Sequence, residues 1–256
     1  MDSTTHSLTV IALPGIPLVK QGDDLSQIIL DGIAKLGLLL ETGDALVVTS
    51  KIVSKSEGRL FDLRDIQPGA EAQRLAVETR KDPRIVELVL RESLKISRQA
   101  PGVLVVQHRL GFVSANAGID QSNVDGSEDM VLLLPIDPDA SAKAICERLK
   151  TQTGADVGII ISDSHGRPFR VGNVGVAIGV AGMPAVLDLR GKADLFGREL
   201  KISIMGYADL VASTANLLTG EADEGRPIVL VRGLQFPAQQ GKAVDLYRAP
   251  EQDLYR

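Results

Sequence analysis

Three consecutive isoleucines, Ile159 to Ile161, run straight into a stretch rich in oxygen donors and guanidinium groups, IIISDSHGRPFRVGN over residues 159–173. A short apolar run of β-branched residues reads as a buried strand. Its abrupt end offers Asp163, Ser164, Arg167 and Arg170 to one loop, which is more than packing requires. A second polar turn follows a strand-like segment upstream, where VSANAGIDQSNVDG places Asp120, Ser122 and Asn123 together. Two oxygen-rich turns can share a hard cation, which takes carboxylate, hydroxyl and amide oxygens and keeps waters or phosphates as further ligands. The pattern points to an enzyme that handles a metal and a nucleotide.

Composition narrows the class. The chain has 256 residues, 44% apolar and 24% charged, enough for a large core in a soluble globular protein. A net charge of -5 argues against general nucleic-acid binding, which needs a basic surface, while leaving room for a local phosphate pocket. Cys146 is the single cysteine, so disulfides within the chain and Cys-based zinc sites are excluded. It reads as a structural thiol. No basic start followed by an apolar run stands at Met1, and no run of eighteen apolar residues occurs, so the expected location is the cytoplasm, away from membranes.

Strand-like and helix-like runs alternate along the chain. SLTVIAL reads as a strand, LSQIILDGIAKLGL as an amphipathic helix capped by Asp24, and ALVVTSKIVS as a buried strand breaking into a polar turn. Residues 69–98 carry charges at helical spacing, with Asp82 as a cap and Pro83 at the first helical position. GVLVVQHRLGFVSANAG reads as two paired strands around a turn near His108, Arg109 and Gly111. SAKAICERLKTQTG is a helix ending at Gly154, ADLVASTANLLTG one ending at Gly220, and RPIVLVRG a final strand. VGVAIGVAGMPAVLDL fits strand or helix equally. Hairpin and crossover connections together predict an α+β (mixed α/β) fold, a mixed β-sheet flanked by helices. No linker or repeat divides residues 1–256, which read as one unit.

Each candidate has a blander reading. TSKIVSKSEGR sets Ser50, Lys51, Ser54, Lys55 and Arg59 after a buried strand, where cations beside hydroxyls can hold phosphates, but it has no Walker A spacing and would also suit a solvated loop. GIPLV, residues 15–19, reads as an exposed apolar turn, and RGKADLFGRE as surface. Asp120 could serve only an Asx-turn, and Asp163 only a cap. Carboxylates at the carboxyl end of a buried strand are, however, where α/β ligand crevices open. His6, His108 and His165 lack metal-ligand spacing, and only His165 lies near the proposed site, as a supporting group at most.

GDALVVTSKIVSKSEGR, HRLGFVSANAGIDQSNV and DSHGRPFRVGN, in this order, with KDPRIVELVLRES and the closing VLVRG, resemble the coenzyme F420:L-glutamate ligases, also called F420-0 gamma-glutamyl ligases. The resemblance covers roughly residues 10–235, leaving 236–256 as a C-terminal tail. The flavin-binding domain found after this one in some actinobacterial members is not expected within this chain.

The resemblance implies a GTP-dependent ligase that joins L-glutamate to F420-0 and then adds gamma-linked glutamates, through an acyl phosphate, with two divalent ions, Mg2+ or Mn2+, and K+ as a further candidate cation. It implies Asp120 and Asp163 as ligands of one metal, Ser164 as a hydroxyl ligand of the other, and Ile16, Pro17, Leu18, Val19, Ser50, Lys55 and Asn123 as the GTP contacts. It also implies an intertwined homodimer. The fork geometry of Arg167 and Arg170 suits the acceptor's phosphodiester or the carboxylates of glutamate. There are departures. Where many members carry glutamates before and within the last helix, SIMGYADL has Ile204 and Leu210, and His165 replaces a bulky apolar residue. A carboxylate missing beside the second metal leaves Asp209 to complete it, or leaves open a ligase for another small carboxylate, or a GTP-binding homologue without catalysis.

Overall fold

The computed structural model describes residues 6–253. The elements are β1 (Thr9–Ala12), α1 (Leu25–Lys35), β2 (Ala45–Thr49), α2 (Ser50–Ser56), β3 (Leu60–Asp62), α3 (Ala70–Thr79), α4 (Pro83–Arg91), β4 (Ser93–Ala100), β5 (Val103–His108) and β6 (Val113–Ala115). They continue with β7 (Met130–Leu132), α5 (Pro138–Thr153), β8 (Gly158–Arg167), β9 (Arg170–Ala181), β10 (Leu187–Asp188), β11 (Ile204–Met205), α6 (Tyr207–Thr219) and β12 (Ile228–Arg232). The fold is α+β, built on a mixed sheet in the order β1-β12-β2-β8-β9. Only β2 and β8 run parallel; every other neighbouring pair in that sheet is antiparallel.

The isoleucine run shows why this sheet is the core. Side chains alternate across a strand, so Ile159 and Ile161 join α1 and α5 on one face while Ile160 joins Ala208, Val211, Ala212 and Ala215 of α6 on the other. All three isoleucines are fully buried. Each contributes about 1.5–3 kcal/mol by leaving water. A third cluster, around Leu75, Val86, Val89, Leu104 and Val106, packs α3 and α4 against the sheet β4-β5-β6 and forms a lobe of its own.

Local signals for ends hold. Asp24 accepts from the backbone N–H groups of Ser26 and Gln27, Asp82 from that of Arg84, and Gly154 ends α5 in the left-handed region. Three readings change and one left open is resolved. The polar turn after β2 is helix α2, because Ile52, Val53, Ser50 and Ser54 are all buried against the sheet and helical spacing is what turns them inward together. The stretch after Ile161 is not a loop: β8 continues to Arg167, bulged between Ile161 and Ser162, since its backbone pairs with β9 whatever its side chains are. Residues 93–98 are strand, pinned by β5 rather than continuing α4. The glycine-rich run is the strand β9, and Gly179 is needed there because a Cβ would lie 2.4 Å from the Pro138 carbonyl oxygen.

The segment after residue 235 is fastened to this core. Asp139, in the first turn of α5, accepts from the N–H of Val180 at 2.7 Å and of Ala243 at 3.0 Å, so one carboxylate joins β9 to the C-terminal chain. Residues 254–256 of the expected tail lie outside the described residues.

Candidate functional site

Parallel pairing of β2 with β8 sets Thr49 beside Ser162, so Ser50 and Asp163, the next residue of each chain segment, arrive at one place. Ser50 donates its hydroxyl to Asp163 Oδ1 at 3.1 Å, across 113 residues of sequence. Asp163 is therefore mid-strand and caps nothing. The same strand face carries His165, whose Nε2 is 3.0 Å from Asp163 Oδ2.

Asp120 arrives from the other side. Its backbone forms a bridge with Leu132, with N···O distances of 2.9 Å in both directions, so the main chain is fixed independently of the carboxylate. The side chain forms an ion pair with Lys51 at 3.3 Å instead of an Asx-turn. The approach is tight: Gly118 has φ 65°, and a Cβ there would sit 2.8 Å from Leu134 Cδ1 and 3.5 Å from Asp163 Oδ2. Ala117, with φ 54°, holds a left-handed conformation without being glycine, a local strain of the kind that collects at functional sites.

Helix α2 explains the lysines. Residues four apart share a helix face, so Lys51 and Lys55 project together toward the Asp120 loop. Lys51 Nζ donates to the Ser122 carbonyl at 3.2 Å and Lys55 Nζ to that of Asn123 at 2.9 Å. Burial lowers the Lys55 pKa, and the neighbouring Lys51 charge lowers it further. Burial raises the Asp120 pKa; Lys51 opposes this, while the negative charges of Asp163 and Glu221 add to it. Three carboxylates thus share one electrostatic neighbourhood with two amines beside it.

Glu221 is the residue that sequence reasoning misses. It lies just past α6, accepts from the Ser164 hydroxyl at 2.7 Å and from Asn216 Nδ2 at 3.0 Å, and so brings a third acid to the strand carrying Asp163. Asn123 Nδ2 reaches the same loop, donating to the Ala222 carbonyl at 2.7 Å. The only local hint is an acidic cluster, EADE, just past the helix end at Gly220. Ile204 and Leu210 are each 53% exposed, and Leu210 faces a cavity of about 420 Å³ lined also by Leu8, Tyr207, Val211 and Leu234. Asp209, the alternative acid, accepts at Oδ1 from the Ala177 N–H at 2.8 Å, and burial raises its pKa.

The remaining candidates lie around this centre. Arg167 and Arg170 are register partners at the tip of the β8–β9 hairpin, four residues up the strand from Asp163 and so roughly 13 Å from it. Arg167 Nε is enclosed there without a hydrogen-bond partner among the described residues. Of Ile16 to Val19, Pro17 and Leu18 are exposed, Ile16 is half-buried and Val19 is buried in the core. That segment passes the end of α2, where the Gly22 N–H bonds the Ser56 carbonyl one residue beyond Lys55.

A hard dication fits the donor chemistry here, since the side chains of Asp120, Asp163, Ser164 and Glu221 offer only oxygen. Among the described residues no group of three or more His, Cys, Asp or Glu side chains closes into a metal cage. Mg2+ is usually held by one or two carboxylates and completed by phosphate oxygens and water.

Oxygen donors and amines meeting where the parallel pairing of β2 and β8 ends, in an α+β fold, are the equipment of an enzyme acting on anionic substrates. The family model for F420-0:Gamma-glutamyl ligase matches residues 15–233, and the chain belongs to that family; it is a ligase. It is 44% identical to the coenzyme F420:L-glutamate ligase of Methanopyrus kandleri over 97% of this chain and 99% of that one. It is 43% identical to the enzyme of that name from Methanothermobacter thermautotrophicus over 97% and 99% of the two chains. With that of Methanocaldococcus jannaschii the identity is 42% over the full length of both. Kinship to ligases at this level sets aside the reading as a homologue without catalysis. Among the described residues no helix is long and apolar enough to cross a membrane.

Proposed function

We propose that the protein joins the amine of L-glutamate to the terminal carboxylate of coenzyme F420-0 and extends the product with gamma-linked glutamates, using GTP to activate the acid. The observation that carries this reading is the meeting of Asp120 and Asp163 beside the Lys51 and Lys55 amines, with the Ser164–Glu221 pair on the same strand. A carboxylate is a poor electrophile, so the acid must first become an acyl phosphate that the amine can attack. Lys55 and Lys51 offer the positive charge that the phosphates of GTP require. Asn123 and Ser50 border the same space, and Ile16 to Val19 pass the far end of α2. Asp120, Asp163 and Ser164, with Glu221 behind the hydroxyl, would hold the divalent ions, Mg2+ or Mn2+. When bound, such ions neutralise crowded anions and align an in-line phosphoryl transfer. Arg167 and Arg170, on the hairpin above, suit the far anionic groups of a long acceptor.

The reading includes a homodimer, as the family resemblance implies. The run VGVAIGVAGMPAVL is mostly interior, while exposed apolar side chains collect at the hairpin tip, Phe169 and Val171, and in the loop bearing Leu195, Phe196 and Ile202. Exposed apolar patches of this kind mark association surfaces. Sedimentation is expected to give the mass of two chains; an active monomer at assay concentration rejects the dimer. The catalytic reading is tested by incubating the protein with GTP, Mn2+, L-glutamate and F420-0 and reading product mass. Addition of glutamyl units with release of GDP is expected, and GTP-independent addition, or none, overturns it.

A further inference from the structure

We propose that His165 is the positioning residue for Asp163, and that Phe112 is the platform that holds it. This rests on the reading of Asp163 as a catalytic carboxylate and adds to it a path of five side chains from the helical lobe into the site. Among the described residues each carboxylate oxygen of Asp163 has one protein donor: the Ser50 hydroxyl on Oδ1 at 3.1 Å, and His165 Nε2 on Oδ2 at 3.0 Å. Between an imidazole nitrogen and a carboxylate oxygen the nitrogen donates. A hydroxyl on a rotatable side chain leaves the carboxylate plane free to swing. A second bond from a fixed ring removes that freedom.

The ring of His165 is fixed from behind. Phe112, on the turn between β5 and β6, has its centroid 5.0 Å away and its plane inclined by 52°. Phe112 also stacks on His108 at 5.0 Å and 7°, and Tyr247 meets it in a T-shaped contact at 6.1 Å. His108 is wholly buried and cannot turn, because its Nδ1 accepts from the Leu110 N–H at 3.0 Å. That leaves Nε2 carrying the proton, 3.6 Å from Glu92 Oε2, a contact electrostatic in character rather than a formed hydrogen bond. Glu92 is itself clamped by Arg59 at 3.0 Å and Arg109 at 2.9 Å. Asp209 on α6 is a second acid near His165, and one of its oxygens is already committed to β9. Side chains that orient a ligating group in this way change affinity or activity roughly 10–100-fold when lost.

The test uses His165→Phe, which keeps a ring against Phe112 and loses the donor, His165→Gln, which restores a donor without the ring, and Phe112→Leu, which keeps apolar volume and loses the stack. Mn2+ binding is read by calorimetry with no nucleotide or acceptor present, alongside kcat, KM for glutamate and thermal midpoint. His165→Phe is expected to weaken Mn2+ binding and lower kcat by roughly 10–100-fold each, with KM for glutamate and the thermal midpoint unchanged. Partial recovery is expected in His165→Gln, and a smaller loss of kcat in Phe112→Leu. In metal-free protein labelled with 15N-histidine, Nε2 of His165 should report as the protonated nitrogen, with a changed shift in Asp163→Asn. Unchanged Mn2+ affinity and kcat in His165→Phe, with Asp163→Asn inactive, overturns the positioning role alone; an active Asp163→Asn overturns the reading beneath it. Loss of activity that follows the thermal midpoint in all three variants also rejects the proposal, and should His165→Phe not fold, His165→Gln carries the same comparison.

Discussion

Two acidic centres about one aromatic stack apart, buried Glu92 and the half-buried pair Asp120 and Asp163, are treated in opposite ways. Glu92 is surrounded by compensation: burial alone would raise its pKa, but contacts from His108 and Arg109 and the charge of Arg59 overcome this and hold it at about 2. Asp120 has one amine, from Lys51, against burial and two like charges, and its pKa moves up. In the first arrangement each carboxylate oxygen has a guanidinium beside it, Arg59 at 3.0 Å and Arg109 at 2.9 Å. The second is left short of positive charge, as a site must be if cations and phosphates are to complete it. The contrast sets a charge-compensated ion cluster apart from the group proposed above as the site.

The most severe way to break the proposed site is Asp163→Asn. A neutral amide ligates a dication poorly, and the loss of several kcal/mol of transition-state stabilisation lowers turnover by roughly a thousandfold. The fold should be retained, checked by an unchanged denaturant midpoint. Near-normal turnover at saturating GTP removes Asp163 from the centre.

The compensated side should fail in the other currency, stability. Glu92→Gln leaves two guanidinium groups facing a neutral amide inside the protein, and should cost about 3 kcal/mol in urea melts. The natural chain carries a matching pH signature. Because the folded pKa of Glu92 is about 2 against 4.5 for the free group, its contribution is complete above about pH 4.5 and is lost as pH falls toward 2. Melts over that window should steepen for the natural chain relative to Glu92→Gln; parallel curves would show that the cluster does not stabilise the fold.

Lys55→Ala is a milder probe of the open site. Removing one charge-assisted contact should weaken GTP binding by roughly tenfold and leave glutamate affinity alone. An unchanged GTP dissociation constant would make α2 an ordinary packed helix. The smallest effect is expected from Leu210→Glu, which restores an acid where many relatives were expected to have one. The side chain is half exposed on a face of α6 that lines a separate cavity, so stability should change by no more than about 0.5 kcal/mol and turnover hardly at all. A marked rise in Mn2+ affinity would show that this face belongs to the site after all.

Much of this was written locally. The caps at Asp24 and Asp82, the helix stops at Gly154 and Gly220, and the double-faced burial of Ile159 to Ile161 each come from a few neighbouring residues, because propensity, capping and side-chain alternation act over one or two turns. So did the identity of Asp120 and Asp163, which stand out as acids at the ends of apolar segments. What the sequence could not decide was everything set by pairing at a distance. That β12 inserts between β1 and β2, that β8 runs on as a strand through DSHGR, and that SKIVSKS is helical all depend on partners far along the chain. Glu221 reaches Ser164 across 57 residues, and Ser50 reaches Asp163 across 113. A hydrogen bond of about 3 Å depends on where two backbones are carried by the whole core, so the residue types could be read in order along the chain, while their meeting was decided only when the sheet closed around Ile160.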